Sequence, residues 1–499
     1  MLEALSSAAS QVFSPLGLML MFLGSAIGTA VGALPGLTAT MAVAVLVPVT
    51  FGMSTELAMM LLLGIYCGAM NGGTVSAVLV NVPGTPAAIM TGLDGYAMAQ
   101  RGEGGKAIGI ATVGSFFGGI FSNLILIIAA PFLAMIALKF AAPEYFALAV
   151  FGLAGIAAST TKSPIKGMAS VFFGLFISII GLDPMTGVDR FSFGNPEMQS
   201  GLSFVPVMIG LYGLGEVLMQ IHESKYGRMV TQKIKGVIPT WKEIKSLKNI
   251  FLRSSIIGTA IGALPGEGAT VAAFLAYTDA RQSSKHPEKF GTGAIEGVAS
   301  CETANNAVTG GSLIPTLTLG IPGSGTMAVL MGAFMMHNII PGPMLFKQHP
   351  EIVYAIFMSL AVNNFFMLVI GLAGARIFSR LVSIPMSMLM PVIVVLCIIG
   401  SYATSNSYFS VIIMIIMGIV GYFMRIFNFP VAPMVLGVVL GPLAEVSLRR
   451  SLLMSHGSLA IFFTRPGSLI VLIFTVIYLF WPYIKKYILR RPVEVNIEM

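Results

Sequence analysis

The chain has 499 residues, of which 56% are hydrophobic and only 10% charged, with a formal net charge of +8. A soluble domain carries about 25% charged residues, so the composition excludes a water-facing globular protein. The basic residues lie in short loops, which excludes a folded nucleic-acid surface and leaves membrane orientation as their role.

In chain order, the first apolar segment has no Lys or Arg before it, and the first basic residue is Arg101. It lacks the basic n-region of a signal peptide and is expected to stay in the mature chain. It leads into "GTAVGALPGLTAT", Gly28 to Thr40. Pro and Gly interrupt a helix, so Leu34-Pro35-Gly36 reads as the tip of a re-entrant hairpin. Its arms, near 16–33 and 37–52, are either half-helices or full spans. Next comes "NGGTVSAVLVNVPGTP", Asn71 to Pro86, which reads as an unwound transmembrane helix. In lipid such a break must be buried in protein or line a wet cavity. "GIYCG" (Gly64 to Gly68) and "GSFFG" (Gly114 to Gly118) have the small-residue spacing of close helix contacts.

"RGEGGKA" near Lys106 is not a phosphate-binding loop, because Gln100 stands where its first Gly is needed and Ala107 replaces Ser or Thr. The stretch from Ile110 to Leu138 is long enough to cross a bilayer. Lys162 and Lys166 place their loop inside, and Asp183, Asp189 and Glu197 against Arg190 place the loop Gly181 to Ser200 outside. Spans near 167–182 and 201–221 join them. The segment 222–249 carries Lys225, Arg228, Lys233, Lys235, Lys242, Lys245 and Lys248 and is expected to be cytoplasmic. It separates a first membrane half, 1–221, from a second, 250–499.

The second half opens with "GTAIGALPGEGAT", Gly258 to Thr270, and continues with "ETANNAVTGGSLIPTLTLGIPGSG", Glu302 to Gly325. Gly72-Gly73 answers Gly310-Gly311, and Val82-Pro83-Gly84 answers Ile321-Pro322-Gly323, with one residue inserted between. The first copy follows an uncharged leader and the second follows Lys245, Lys248 and Arg253. Entry from opposite faces predicts an inverted-topology repeat, as in secondary transporters; a parallel duplication is the alternative. The expected fold is an all-α polytopic membrane protein of about 10–12 hydrophobic segments, in two inverted repeats with broken helices or re-entrant hairpins. The tail, with Lys485, Lys486, Arg490 and Arg491, is expected to be cytoplasmic.

Broken helices expose N-termini that attract anions and carbonyls that can hold a cation. The candidate substrate contacts in the first half are Gly36, Thr38, Asn71, Gly72, Gly73, Thr74, Pro83, Gly84, Thr85 and Pro86. In the second they are Gly266, Thr270, Thr303, Asn305, Asn306, Gly310, Gly311, Pro322, Gly323, Ser324 and Gly325. Asn71, Asn305 and Glu302 are candidate cation ligands. A carboxylate within a membrane is by default a functional group; Glu302 could ligate a cation, carry a proton or pair with Arg281. Glu267 stands opposite Leu37 in the repeat and is not a shared ligand, and Asp279 with Arg281 reads as a loop ion pair. Cys67, Cys301 and Cys397 have no metal-ligand spacing, and the five histidines supply neither HExxH nor a triad. No enzyme activity, cofactor or metal is expected, beyond Na⁺ as a possible coupling ion.

The four quoted motifs, the last continuing as "TMAVLMGAFMMHNIIPGPMLF", resemble the large membrane subunit of the tripartite tricarboxylate transporter family, from about residue 15 to about 480. The resemblance implies a bacterial inner-membrane carrier that works with a small four-helix membrane subunit and a periplasmic solute-binding protein. It implies import driven by an ion gradient, usually sodium, of small carboxylates of the tricarboxylate or dicarboxylate class. A stand-alone permease, and a scaffold or channel, are the competing readings.

Overall fold

The computed structural model describes residues 2–159, 163–222, 234, 236–266, 268–384 and 386–487. Lys162, Lys225, Arg228, Lys233, Lys235, Glu267, Arg490 and Arg491 lie outside the described residues. Among the described residues the chain is all-α apart from one two-stranded hairpin, Gly181–Leu182 with Asp189–Arg190.

The first half begins with α1 (Leu2–Val12), α2 (Pro15–Ala33), α3 (Ala39–Leu46), α4 (Thr55–Val80), α5 (Ala88–Gln100) and α6 (Gly104–Ala137). Then follow α7 (Ala142–Ser159), α8 (Pro164–Ser178), α9 (Pro196–Gln199), α10 (Phe204–Met208) and α11 (Gly215–His222). A π-helical stretch, Ile209–Leu214, joins the last two into one segment. Beyond the linker come α12 (Trp241–Ser246), α13 (Lys248–Gly262), α14 (Gly268–Ser283), α15 (Ile295–Leu319), α16 (Gly325–Met336), α17 (Leu345–Gln348) and α18 (Pro350–Leu381). The chain ends with α19 (Met386–Ala403), α20 (Tyr408–Ile426), α21 (Val431–Met454), α22 (Ile461–Thr464) and α23 (Pro466–Tyr487).

Among the described residues, seven helical segments are long and apolar enough to cross a membrane, and six shorter apolar helices accompany them. Long helices with apolar faces turned outward are a membrane architecture. On α6, Leu124, Ile128, Phe132 and Met135 recur at helical spacing and are exposed. The opposite side of α6 is buried, as is every residue of α4 from Ala58 to Leu79. The chain is a multi-pass membrane protein.

Two compact units form. One is Met1–Leu138 with Leu202–Val431; the other is Lys139–Gly201 with Ala432–Met499. Each draws on both sides of the central linker. In the smaller unit Gly174 and Gly437 bring α8 and α21 into backbone contact. An ion-pair group of Asp183, Arg190, Glu445 and Arg449 fastens the β-hairpin to α21. The two arginines hold the Asp183 carboxyl well below the ordinary carboxylate range. In the larger unit α10–α11 packs on α20, where Arg425 reaches Glu216 at 3.0 Å.

The larger unit holds both repeat cores. Small residues bring α2 against α4: a Cβ at Gly28 would strike the Ile65 carbonyl, and one at Gly32 the Ala69 carbonyl. In the second half Gly258 meets Ala304 and Gly262 meets Val308, which seats α13 on α15. Residue numbers rise together along both pairs, so each pair is parallel. The return strokes α3 and α14 therefore complete hairpins. Arg253 of α13 pairs with Asp279 of α14, which sets the open end of the second hairpin. That pairing replaces the expected one between Asp279 and Arg281, because α14 runs back beside α13. With 15 and 16 residues, α13 and α14 reach only about 22–24 Å, short of the roughly 30 Å hydrocarbon core. The second hairpin is thus built of half-helices.

Candidate functional site

The hairpin tips lie where expected. Gly36 has φ +80° and Gly266 φ +148°, backbone angles that favour glycine. Gln220 of α11 donates to the Gly36 carbonyl at 2.7 Å, fastening the first tip. Gly266 N donates to the Gly323 carbonyl at 3.1 Å, fastening the second tip to the second break. Thr38 caps α3 by accepting from Met41 N, and Ser324 caps α16 by accepting from Met327 N. Thr270 lies in the first turn of α14.

The long motifs are corrected in one respect. Asn71 to Thr74 and Thr303 to Gly311 are not unwound; they lie inside the continuous helices α4 and α15. The unwinding is confined to Asn81–Ala87 and Gly320–Ser324, each opened by a left-handed residue, Asn81 at φ 56° and Gly320 at φ 68°. The glycines upstream serve close packing. Gly72 touches the Thr29 carbonyl and Gly311 the Thr259 carbonyl, while Gly310 packs against Ser122. Gly84 lies against Gly32 and Gly73, and Gly323 against Gly262 and Ser312. These contacts pair Gly72 with Gly311 and Gly73 with Ser312, so no inserted residue is needed. Asn81 then pairs with Gly320, the same left-handed cap in both halves. Pro83 and Pro86 lie in the first break and Pro322 in the second, and Gly325 opens α16.

The directions of the helices follow from their contacts. Asn306 donates to Ser115 Oγ at 2.7 Å, Gly118 meets Thr303 and Ala307, and Ser122 meets Gly310, so α6 runs parallel to α15. Asn363 donates to the Met60 carbonyl at 3.1 Å and Gly371 lies at Asn71, so α18 runs parallel to α4. Between α6 and α18, Thr112 meets Gly371, Gly119 meets Asn364, and Asn123 donates to the Phe357 carbonyl, an antiparallel order. Hence α4 and α15, the matching broken helices, run in opposite directions. Each half packs its long helix on the broken helix of the other.

The two halves meet in polar contacts. Thr40 and Thr326, in the first turns of α3 and α16, share a hydrogen bond of 2.7 Å. Asn305 Nδ2 donates to the Met70 carbonyl at 3.3 Å. Glu302 is completely buried. Its Oε1 accepts from Thr91 at 2.6 Å; its Oε2 accepts from Ser115 and Asn305, each at 3.4 Å. Its partners are therefore neutral donors from three helices, and the expected alternative of pairing with Arg281 gives way to them. Nearby, Asn305 Oδ1 and Asn306 Oδ1 of the same helix, and Asn71 Oδ1 of α4 beside the Met70 carbonyl that Asn305 reaches, are buried with no hydrogen-bond partner among the described residues. Buried polar atoms are ordinarily paired. Unpaired oxygens beside a carboxylate are of the ligand type that hard cations take. Neither broken helix carries Lys or Arg, since none occurs before Arg101 or between Lys289 and Lys347. Among the described residues no three His, Cys, Asp or Glu side chains could hold a metal together.

Sequence reasoning missed Thr91, Ser115, Asn123, Gln220, Asn363 and Asn364. Of these, Asn363-Asn364 gave a signal, an adjacent amide pair in an apolar helix like Asn305-Asn306.

The tripartite tricarboxylate transporter TctA family matches residues 18–436. This chain belongs to that family. Among curated proteins it is 38% identical over 466 residues, 93% of each chain, to an uncharacterized 52.8 kDa protein of the TAR-I ttuC' 3' region of Agrobacterium vitis. It is 41% identical over 209 residues to an uncharacterized protein of the TAR-II ttuC' 3' region of the same organism, covering 42% of this chain and 86% of that one. No solved structure matches. The TctA match spans both repeats, both breaks and the Glu302 cluster. Membership makes the chain a component of a tripartite transporter, which includes other subunits and a solute-binding protein.

Proposed function

We propose that the protein is the large permease subunit of a binding-protein-dependent carrier in the bacterial inner membrane. It imports a small tricarboxylate or dicarboxylate, driven by a sodium gradient. The observation that carries this reading is the pair of oppositely directed broken helices, joined at their centres through Asn305, Met70 and Glu302. Inverted repeats meeting at such breaks suit alternating access around one central site; a channel needs no duplicated breaks.

The substrate lies between the breaks, against the first turns of α3 and α16 on one side and of α5 and α14 on the other. The free N–H groups and dipoles of those turns neutralise carboxylates without a fixed cation. Gly36, Thr38 and Pro83 to Pro86 contribute from the first half. Gly266, Thr270 and Pro322 to Gly325 contribute from the second. Asn71 to Thr74, Thr303 to Asn306 and Gly310-Gly311 form the wall behind them. Na⁺ sits at Glu302, Asn71 and Asn305. A multiply charged anion is costly to desolvate unless cations or donors compensate, and a bound Na⁺ supplies that compensation while it cancels the charge of Glu302. The partners are a small four-helix membrane subunit and a periplasmic solute-binding protein, and the protein catalyses no covalent chemistry.

Uptake of a panel of labelled carboxylates into proteoliposomes tests this reading. The large and small subunits are reconstituted together, with the binding protein added outside. Accumulation of one carboxylate that requires an inward sodium gradient is the expected result. Accumulation under a proton gradient alone would make Glu302 a proton carrier instead.

A further inference from the structure

Asp94, on α5, is completely buried and takes no part in the site described above. Its Oδ1 accepts three backbone N–H bonds, from Gly291, Gly293 and Ala294, each at 2.8 Å. Its Oδ2 accepts from the Tyr277 hydroxyl of α14 at 3.0 Å. The three N–H groups line the loop that opens α15. One carboxylate therefore ties the helix after the first break to both elements that follow the second hairpin tip. Arg101, just beyond α5, adds bonds to the Thr292 and Gly293 carbonyls at 3.0 and 2.8 Å. Under this junction lies an apolar cluster that includes Ala87, Met90, Ala273, Tyr277, Phe290 and Cys301. Cys301 is completely buried, one residue from Glu302.

The face is fixed by neighbouring contacts. Lys106, at the start of α6, reaches Glu243 of the linker at 2.6 Å, and Arg253 pairs with Asp279. The Asp94 junction thus belongs to the end of the molecule that carries the basic linker. In the other repeat, α16 meets the first hairpin among the described residues through Thr50 Oγ1 with His337 Nε2 at 3.2 Å near the helix ends and Thr40 with Thr326 at 2.7 Å near their starts. Four bonds converge on one carboxylate at Asp94, against two separate hydroxyl bonds there.

We infer that Asp94 is a positioning residue that closes the substrate path on the linker face, by holding α5 to the α14–α15 loop, and that release of its four bonds is the step that opens that face. The inference rests on the alternating-access reading. Thr91, one turn earlier on α5, bonds Glu302, so the closure and the candidate cation group share one helix.

Cys301 is a built-in reporter. With Cys67 and Cys397 replaced by Ala, a membrane-impermeant maleimide is applied to inside-out vesicles, without substrate. Asp94→Asn weakens the acceptor. Gly297→Ala leaves Asp94 chemically intact but displaces it, since a Cβ at 297 would strike Oδ2. Both are expected to raise the labelling rate of Cys301 roughly tenfold or more, as local opening does. A protein carrying Cys397 as its sole thiol, completely buried against Gly213 of the π-helical stretch, should stay unlabelled in both variants. Unchanged labelling of Cys301 in both variants would overturn the inference, as would equal labelling of Cys397, which would mean general unfolding. No transport is measured, so a wrong substrate or coupling ion leaves this result unaffected.

Discussion

Glu302 has no cationic partner among the described residues; its oxygens accept from the uncharged donors Thr91, Ser115 and Asn305. An ionised carboxylate in such a place is expensive unless a counter-ion joins it. Its burial within an apolar helix was legible from one sequence, because Glu ahead of Asn305-Asn306 in an apolar run breaks the hydrophobic pattern. Thr91 and Ser115 were not legible. Isolated hydroxyls are ordinary in membrane helices, and only packing brings α5 and α6 to α15. Asp94 lay hidden for the same reason: its donors, three backbone groups and the Tyr277 hydroxyl, lie about two hundred positions away. Replacing Asn71 or Asn305 by Ala removes an oxygen of the proposed cation site and is expected to weaken both sodium and substrate affinity by about tenfold, roughly the loss of one good polar contact. Thr91→Val is expected to lower sodium affinity by a similar factor while leaving the protein monodisperse. Calorimetric titration of each variant measures both affinities; a variant losing substrate affinity with unchanged sodium affinity would remove its residue from the cation site.

At the scale of elements, the quoted motifs were legible as breaks, but the extent of unwinding was not. Glycine reads identically whether it opens a helix or lets two backbones touch. Here Gly72, Gly310 and Gly311 do the second, while Asn81 and Gly320 do the first. Close backbone contact has a cost on substitution. Gly28→Ala would drive a Cβ into the Ile65 backbone, and overpacking of this kind costs about 1–3 kcal/mol. A lower midpoint of thermal unfolding in detergent is expected, whereas Gly52→Ala, where a Cβ meets nothing, should show only the smaller strain of its positive φ. The linker end has its own ion pair. Lys106 beside Glu243 lowers that carboxyl from an ordinary 4.5 to about 2. A lowered acid pKa stabilises the folded state above the unfolded value and loses that contribution as pH falls through the folded one. The pair's contribution is therefore complete above pH 4.5 and fades towards pH 2. Half-exposed pairs are worth about 1 kcal/mol or less, so Lys106→Met should lower the unfolding midpoint slightly at pH 7, and the difference should shrink as the acid limit is approached.

At the scale of the molecule, the duplication was legible because two landmarks recur in the same order. The exchange between halves was not. No single sequence says that α6 packs along α15 and α18 along α4, or that the compact units cut across the repeat boundary. Glu302 of one half is held by Thr91 and Ser115 of the other, so a cation bound there, as proposed, would act on both halves at once. If sodium and substrate share this centre, each must raise the affinity of the other by the same factor, because linkage is symmetric for binding. The direct test is substrate affinity of the purified carrier across a sodium titration, at fixed ionic strength and pH, in the wild type and in Glu302→Gln. The account predicts affinity that rises with sodium in the wild type and is flat in the variant. Wild-type affinity that does not change with sodium would contradict it.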